Sequence, residues 1–287
     1  MKLAAAPISW GVCEVPGWGA QLPLDRVLAD AARLGLTDVE AGPPGFLPPQ
    51  AAQARAAVAR HGVHVIGAFV TAVLHQPEVL DAELRSVAAQ AAHLADLGGA
   101  VLVLAAASGN DGYEAPLVLD REEWLALLAA LPKVVAIATT HRLRVALHPH
   151  VGTAIERADA IERLLDHSDI PLCLDTGHVF IGGADPADLA RRHAERITHV
   201  HLKDADAHLA DAVRARRIGY ADAVARGLYK PLGTGDAHIA DVLGALHRAG
   251  YAGWAVLEQD IALRKENAAR DPAEDVARCR DFAMAHA

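Results

Sequence analysis

Leu172-Cys173-Leu174-Asp175-Thr176-Gly177-His178 and, one helix further on, Thr198-His199-Val200-His201-Leu202-Lys203-Asp204 decide how this chain reads. In each, apolar β-forming residues run straight into a metal-binding side chain. The same grammar lies upstream in Leu147-His148-Pro149-His150 and downstream in Val256-Leu257-Glu258-Gln259-Asp260. A side chain that closes a buried strand sits where the strand meets open space. Four such ends in one register would gather two imidazoles and two carboxylates.

Outward from these segments, short β-like runs alternate with Ala/Leu-rich helical patterns. Strands are expected at Leu3–Ser9, Asp38–Ala41, Val63–Val70, Ala100–Ala106, Arg144–His148, Leu172–Asp175, Thr198–Leu202 and Ala255–Glu258. Helices are expected at Leu24–Leu34, Pro49–Arg60, Pro77–Leu97, Arg121–His141, Thr153–His167, Pro186–Ala194 and Asp236–Arg248. Gly35, Gly62, Gly98 and Gly250 close helices, Pro186 follows Asp185 as a first-turn proline, and Asp236 reads as an N-cap. Helix, glycine and strand in repetition make βα units, and eight of them give a (β/α)8 TIM barrel. A doubly wound sheet would bring a Gly-rich nucleotide turn, which is absent. No linker or composition break divides the chain, so residues 1–287 read as a single barrel domain with an extended loop after strand seven and a C-terminal helix. That loop, Asp204–Leu232, carries Arg214, Arg216 and Arg217 and is expected to cover the mouth; the residues after Asp260 are expected to form a solvated outer helix.

Bulk properties narrow the function. Hydrophobic residues make up 52% and charged residues 22%, a globular balance. A formal charge of −9 disfavours nucleic acid and anionic membranes, which need clustered Lys and Arg. Cys13, Cys173 and Cys279 are scattered, with no CxxC, as in a reduced cytoplasmic protein. The N-terminus lacks a signal-like apolar core, and no stretch approaches 18 uninterrupted apolar residues, so no membrane span is expected.

Barrel geometry turns strand ends into chemistry, because active sites of this fold lie at the C-terminal face. His148, Asp175, His201 and Glu258 close strands five to eight and share one arc of the mouth. A lone strand-end His is usually a surface residue, and a strand-end Asp is often just the next helix's N-cap. Four on successive strands point instead to one divalent metal ion. Two nitrogens with two carboxylates suit Mn²⁺ or Co²⁺, with Zn²⁺ as a further candidate, better than the all-oxygen shells of Mg²⁺ and Ca²⁺.

Asp175-Thr176-Gly177-His178, His199-Val200-His201-Leu202-Lys203-Asp204 and Glu258 resemble the xylose isomerase-like TIM barrels, the sugar phosphate isomerase/epimerase superfamily. Ala6-Pro7-Ile8-Ser9-Trp10-Gly11, Leu147-His148-Pro149-His150-Val151-Gly152-Thr153 and Pro231-Leu232-Gly233-Thr234-Gly235-Asp236 are most similar to its inosose dehydratase-like branch. The resemblance implies His148, Asp175, His201 and Glu258 as metal ligands, His178 as a substrate contact, and a homo-oligomer. It also implies a departure: many members carry Glu where this chain has His148. A metal-bound imidazole is a poor base, since binding uses its lone pair. One remaining carboxylate suits removal of a proton α to a ketone and loss of water from a cyclic polyol better than epimerisation on two faces. Glu258 is then the base, with Lys203 or His178 holding the enolate charge.

Weaker candidates for substrate contact are Trp10 and Trp18 as an apolar wall, Glu40 at the end of strand two, His75 after strand three, and His150. His64 and His141 precede strands and read as structural. Gly233-Thr234-Gly235 is a weak phosphate cradle. The alternatives are a sugar or sugar-phosphate isomerase or epimerase, an endonuclease IV-type nuclease, and a non-catalytic sugar-binding barrel. The negative charge opposes the nuclease, and the complete ligand set opposes the sensor.

Overall fold

The computed structural model describes residues 1–110, 112–115, 117–264 and 271–286. Its strands are β1 (Lys2–Ala5), β2 (Asp38–Glu40), β3 (His64–Ala72), β4 (Val101–Ala106), β5 (Arg144–Leu147), β6 (Leu172–Asp175) and β7 (Ile197–Leu202). An antiparallel pair of two-residue strands follows, β8 (Asp204–Ala205) and β9 (Tyr229–Lys230), and then β10 (Trp254–Leu257). β1 to β7 and β10 form a closed parallel barrel, β10 pairing back on β1 with Lys2 opposite Trp254. The helices are α1 (Leu24–Arg33), α2 (Ala51–Ala59), α3 (Pro77–Leu97), α4 (Arg121–Thr140), α5 (Ala158–His167), α6 (Thr176–Ile181), α7 (Pro186–Arg192), α8 (Ala207–Arg214), α9 (Tyr220–Ala225), α10 (Ile239–Arg248) and α11 (Pro272–His286). The expected (β/α)8 barrel is the observed fold.

Two-residue periodicity explains what each strand delivers. Val145, Leu147, Leu172, Leu174, Val200, Leu202, Ala255 and Leu257 join the layer between barrel and helices. Their alternates turn inward. Val101, Val103, Ala146 and Cys173 form one interior cluster, and Ala4, Ala6, Ile66 and Val256 another. One further step along the same inward rows come His148, Asp175, His201 and Glu258. α4 is apolar and long enough to cross a membrane by length and composition. Its Trp124, Leu127, Leu131, Val134 and Ala138 nevertheless form one stripe buried in the main core.

Several expected boundaries move, each for a local reason. β1 stops at Ala5, because Pro7 opens a 3-10 turn, Pro7–Trp10. The fifth helix starts at Ala158 rather than Thr153, since His150 N–H donates to Ile155 O and Thr153 hydroxyl to His150 O, folding those residues into a loop. Asp236 is not the N-cap of α10, which begins after His238 in a left-handed conformation. Its Oδ2 accepts Ala207 N–H at 2.8 Å, at the start of α8. The residues after Asp260 do not run directly into a helix: 261–264 are irregular, 265–270 lie outside the described residues, and α11 begins at Pro272. α11 is half-solvated only, burying Ala273, Val276, Cys279 and Ala283.

The long segment after β7 is organised by Asp204. Its Oδ2 accepts Gly233 and Gly235 N–H at 2.9 Å each, and its Oδ1 accepts Ala205 and Ala237 N–H at 3.0 Å. This carboxylate ties the hairpin base to the approach of α10, leaving α8 and α9 over the mouth with their own small core of Ala210, Val213, Tyr220, Ala223, Val224 and Leu228.

Candidate active site

At the C-terminal mouth, one donor atom each from His148, Asp175, His201 and Glu258 lie within 4.8 Å of one another. His148 Nε2 is 3.2 Å from His201 Nδ1 and 3.3 Å from Asp175 Oδ2. His201 Nδ1 is 3.5 Å from Asp175 Oδ2 and 2.5 Å from Glu258 Oε2. All four are nearly or wholly buried.

The far side of each imidazole fixes what it offers here. His148 Nδ1 lies 2.7 Å from Pro149 O, which can only accept, so Nδ1 carries the proton and Nε2 presents a lone pair. His201 Nε2 lies 3.0 Å from Glu40 Oε1, an acceptor as well, which frees Nδ1 to face the cluster. Asp175 divides its labour: Oδ1 caps α6 by accepting His178 N–H at 2.8 Å, while Oδ2 turns to the cluster. Asp175 Oδ2 and Glu258 Oε2 are both buried without a hydrogen bond.

Electrostatics favour a cation. Burial opposes ionisation of Glu40, Asp175 and Glu258, yet facing His201, Lys203 and other histidines hold all three below the ordinary carboxylate range. Burial likewise opposes charge on Lys203, but Asp175, Asp260 and Glu258 keep it an ammonium. With His201 neutral, three carboxylates against one ammonium leave at least two uncompensated negative charges, which a divalent ion cancels. Without such an ion, neighbouring Cys173, Glu258 and Glu40 outweigh burial and raise His201 well above the ordinary imidazole value. The donor set therefore fits a divalent metal ion.

Lys203 Nζ sits among Asp175 Oδ2 at 3.3 Å, Glu258 Oε2 at 3.5 Å, Asp260 Oδ1 at 3.1 Å and His178 Nε2 at 3.2 Å. Its placement depends on Gly177, where a Cβ would come within 2.6 Å of Lys203 Cβ and 2.8 Å of Tyr229. His178 and His150 stack with ring centroids 3.8 Å apart, and burial depresses both so that they are neutral.

These groups open into a pocket of about 250 Å³ with Trp18, Phe69, Tyr113, Tyr220, Pro7, Ile8, Val12 and Glu14 on its walls. The expected site residues divide by position. His148, His150, Lys203, Glu258, Trp18 and Glu40 line it; Asp175, His178 and His201 lie directly behind. Trp10 does not face the pocket: it is fully buried in the main core. His75 is also buried away from it, beside Gln76. Glu40 lines the mouth but spends Oε1 on two imidazoles, His199 Nε2 at 2.8 Å and His201. Glu156 accepts both Arg216 (3.0 and 2.8 Å) and Gly152 N–H, and so is occupied.

Sequence reading passed over Asp260, Tyr220, Tyr113 and Glu14. Tyr220 hydroxyl donates to Asp260 Oδ2 at 2.8 Å, and burial raises the Asp260 carboxyl to about 6. Tyr113 hydroxyl donates to Glu14 Oε1 at 2.6 Å across the rim. Asp260 had a signal, since it lies two residues beyond Glu258. The tyrosines and Glu14 had none, because their approach depends on loop packing.

A family model described as xylose isomerase-like TIM barrel matches residues 28–280. The inosose dehydratase of Geobacillus kaustophilus (strain HTA426) is 30% identical over 276 residues, covering 90% of this chain and 87% of the relative. Among solved structures, an L-ribulose 3-epimerase superposes with a TM-score of 0.73 at 20% identity, covering 100% of this chain and 94% of that one. The IolI protein with a bound zinc atom superposes with a TM-score of 0.72 at 15% identity, covering 100% and 99%. At those identities the two structures speak for the fold alone.

Proposed function

The chain belongs to the xylose isomerase-like TIM barrel family, and on that premise we propose that it is a divalent-metal-dependent carbohydrate lyase of the inosose dehydratase kind, removing water from a cyclic polyol ketone. The observation that carries this reading is the convergence of His148 Nε2, His201 Nδ1, Asp175 Oδ2 and Glu258 Oε2, with the other nitrogen of each imidazole turned to a backbone or carboxylate acceptor. Inosose dehydratase relatives near 30% identity support the substrate class. His148, Asp175, His201 and Glu258 are the residues to hold the ion, with Mn²⁺ or Co²⁺ preferred over Zn²⁺. Bound there, a divalent cation supplies Lewis-acid polarisation of the ketone.

The rest falls to side chains. Of the carboxylates at the pocket, Glu40 is held by His199 and His201, Asp260 by Tyr220, and Glu14 by Tyr113. Glu258 lines the pocket and accepts no side-chain hydrogen bond on its Oε2, and it takes the proton α to the carbonyl. The C–H electron pair becomes the new C=C bond, and the β-hydroxyl leaves with a proton from Lys203. The ammonium offsets the developing enolate charge, and His178 at 3.2 Å orients it. A proton then passes from Glu258 to Lys203, 3.5 Å apart, which restores both groups. His150, Trp18 and the tyrosines supply a wall for the ring.

The test is to strip the protein of metal, restore Mn²⁺, Co²⁺ or Zn²⁺, and incubate it with 2-keto-inositol under mass spectrometry. Metal-dependent loss of one water is expected. A product of unchanged mass and altered stereochemistry would replace the lyase by an epimerase, and inertness with every ion would sink the reading.

A further inference from the structure

Beneath the mouth, one layer deeper in the barrel, Glu40 and His199 form a polar pair that no step above uses as a reacting group. We propose that Glu40, steadied by His199, is a positioning residue that orients His201 and selects the nitrogen it offers to the metal. This role rests on the metal-enzyme reading.

Three observations carry it. The β2–β3 register slips between Val39 and Glu40: Val39 pairs with Val65, but Glu40 pairs with Gly67. The extra residue lies on β3, whereas Glu40 directly follows Val39 of the helix-facing layer and by strand alternation carries its carboxylate into the barrel. Second, Glu40 Oε1 receives two N–H groups, from His199 Nε2 at 2.8 Å and His201 Nε2 at 3.0 Å. A carboxylate oxygen can only accept, so His201 must carry its proton on Nε2 and direct Nδ1 toward Glu258, Asp175 and His148. Third, His199 is wholly buried and its Nδ1 has no hydrogen-bond partner. The polar contact it makes is the one to Glu40, where it fixes the carboxylate against rotation. His199 and His201 project inward from the same strand two residues apart, so β7 supplies both the ligand and the clamp on its support.

Glu40 also borders the pocket, and substrate contact is the competing role. The two roles separate cleanly. A substrate contact would change KM for the polyol and leave metal affinity alone; a positioning residue changes metal affinity with no substrate present.

Metal-stripped wild type, Glu40→Gln, Glu40→Ala and His199→Phe would be titrated with Co²⁺ and Mn²⁺ against a chromophoric chelator, with circular dichroism and thermal unfolding as controls on the fold. Glu40→Gln, nearly isosteric, is expected to bind about 10-fold more weakly and Glu40→Ala approaching 100-fold, the range for lost outer-shell partners. His199→Phe should move the same way by less. At saturating Co²⁺, the visible absorption bands of Glu40→Gln should differ from wild type. Wild-type affinity and bands in a folded Glu40→Gln or Glu40→Ala would overturn the positioning role alone. If the wild type binds neither ion, the metal-enzyme reading falls and this role falls with it.

Discussion

Glu258 carries two duties on one carboxylate. Its Oε2 belongs to the donor cluster, 2.5 Å from His201 Nδ1, and its carboxylate is also the proposed base. Glu258→Gln keeps the shape and removes the basicity. Turnover should fall by roughly 10²–10⁴-fold, the usual worth of a positioned general base, while the thermal unfolding midpoint of the metal-free protein stays within a few degrees. Near-native turnover of the variant in a 2-keto-inositol assay would return the proton transfer to another group. At this scale the sequence was partly legible. His148, Asp175, His201 and Glu258 were readable because each ends an apolar run in the inward register. Trp10 was not, since an aromatic residue beside a strand end reads the same whether it faces a pocket or, as here, the core. Glu40 was readable as a carboxylate at the mouth, but not as the partner of two imidazoles, because His199 lies 159 residues away.

Elements hold these side chains in place, and two local devices can be weighed. Asp204, almost wholly buried, accepts four backbone N–H groups that fasten the segment after β7. Asp204→Ala leaves those donors unpaired at 1–3 kcal/mol each when they stay buried. Allowing for relaxation and water, a loss of about 3 kcal/mol is expected from urea unfolding, with the α8–α9 cover released before the barrel in hydrogen exchange. On the outer wall, Asp120 opens α4 with a capping box: its Oδ1 accepts Glu122 and Glu123 N–H, and Glu123 Oε2 accepts Asp120 N–H. Asp120→Ala should cost about 1 kcal/mol in the same measurement and leave metal affinity untouched. Most helix and strand cores were legible from periodicity. The start of α5 was not, because Thr153 looks like an N-cap in sequence and instead bonds back to His150. Asp236 likewise looked local and serves a helix some thirty residues away.

For the whole molecule, the mouth gathers negative charge that folding must bury, and a bound divalent ion should relieve that cost. Differential scanning calorimetry of the metal-free protein should show a transition that rises with added Mn²⁺ or Co²⁺. At free ion near 100 times Kd the stabilisation is about 2.7 kcal/mol, a shift of roughly 5 °C for a chain of this size. No shift would mean that the carboxylates are balanced within the protein. The sequence by itself determined the (β/α)8 class and the four strand-end donors, because a period of two along a buried strand dictates which side chains point inward and where they stop. Only the tertiary structure decided which groups surround those donors. The bonds of Glu40 to His199 and His201, the Lys203 ammonium set among three carboxylates, and the Tyr220–Asp260 and Tyr113–Glu14 bonds all join residues remote in the chain. Closure of the barrel and the descent of the segment after β7 bring them together, and no local pattern encodes either.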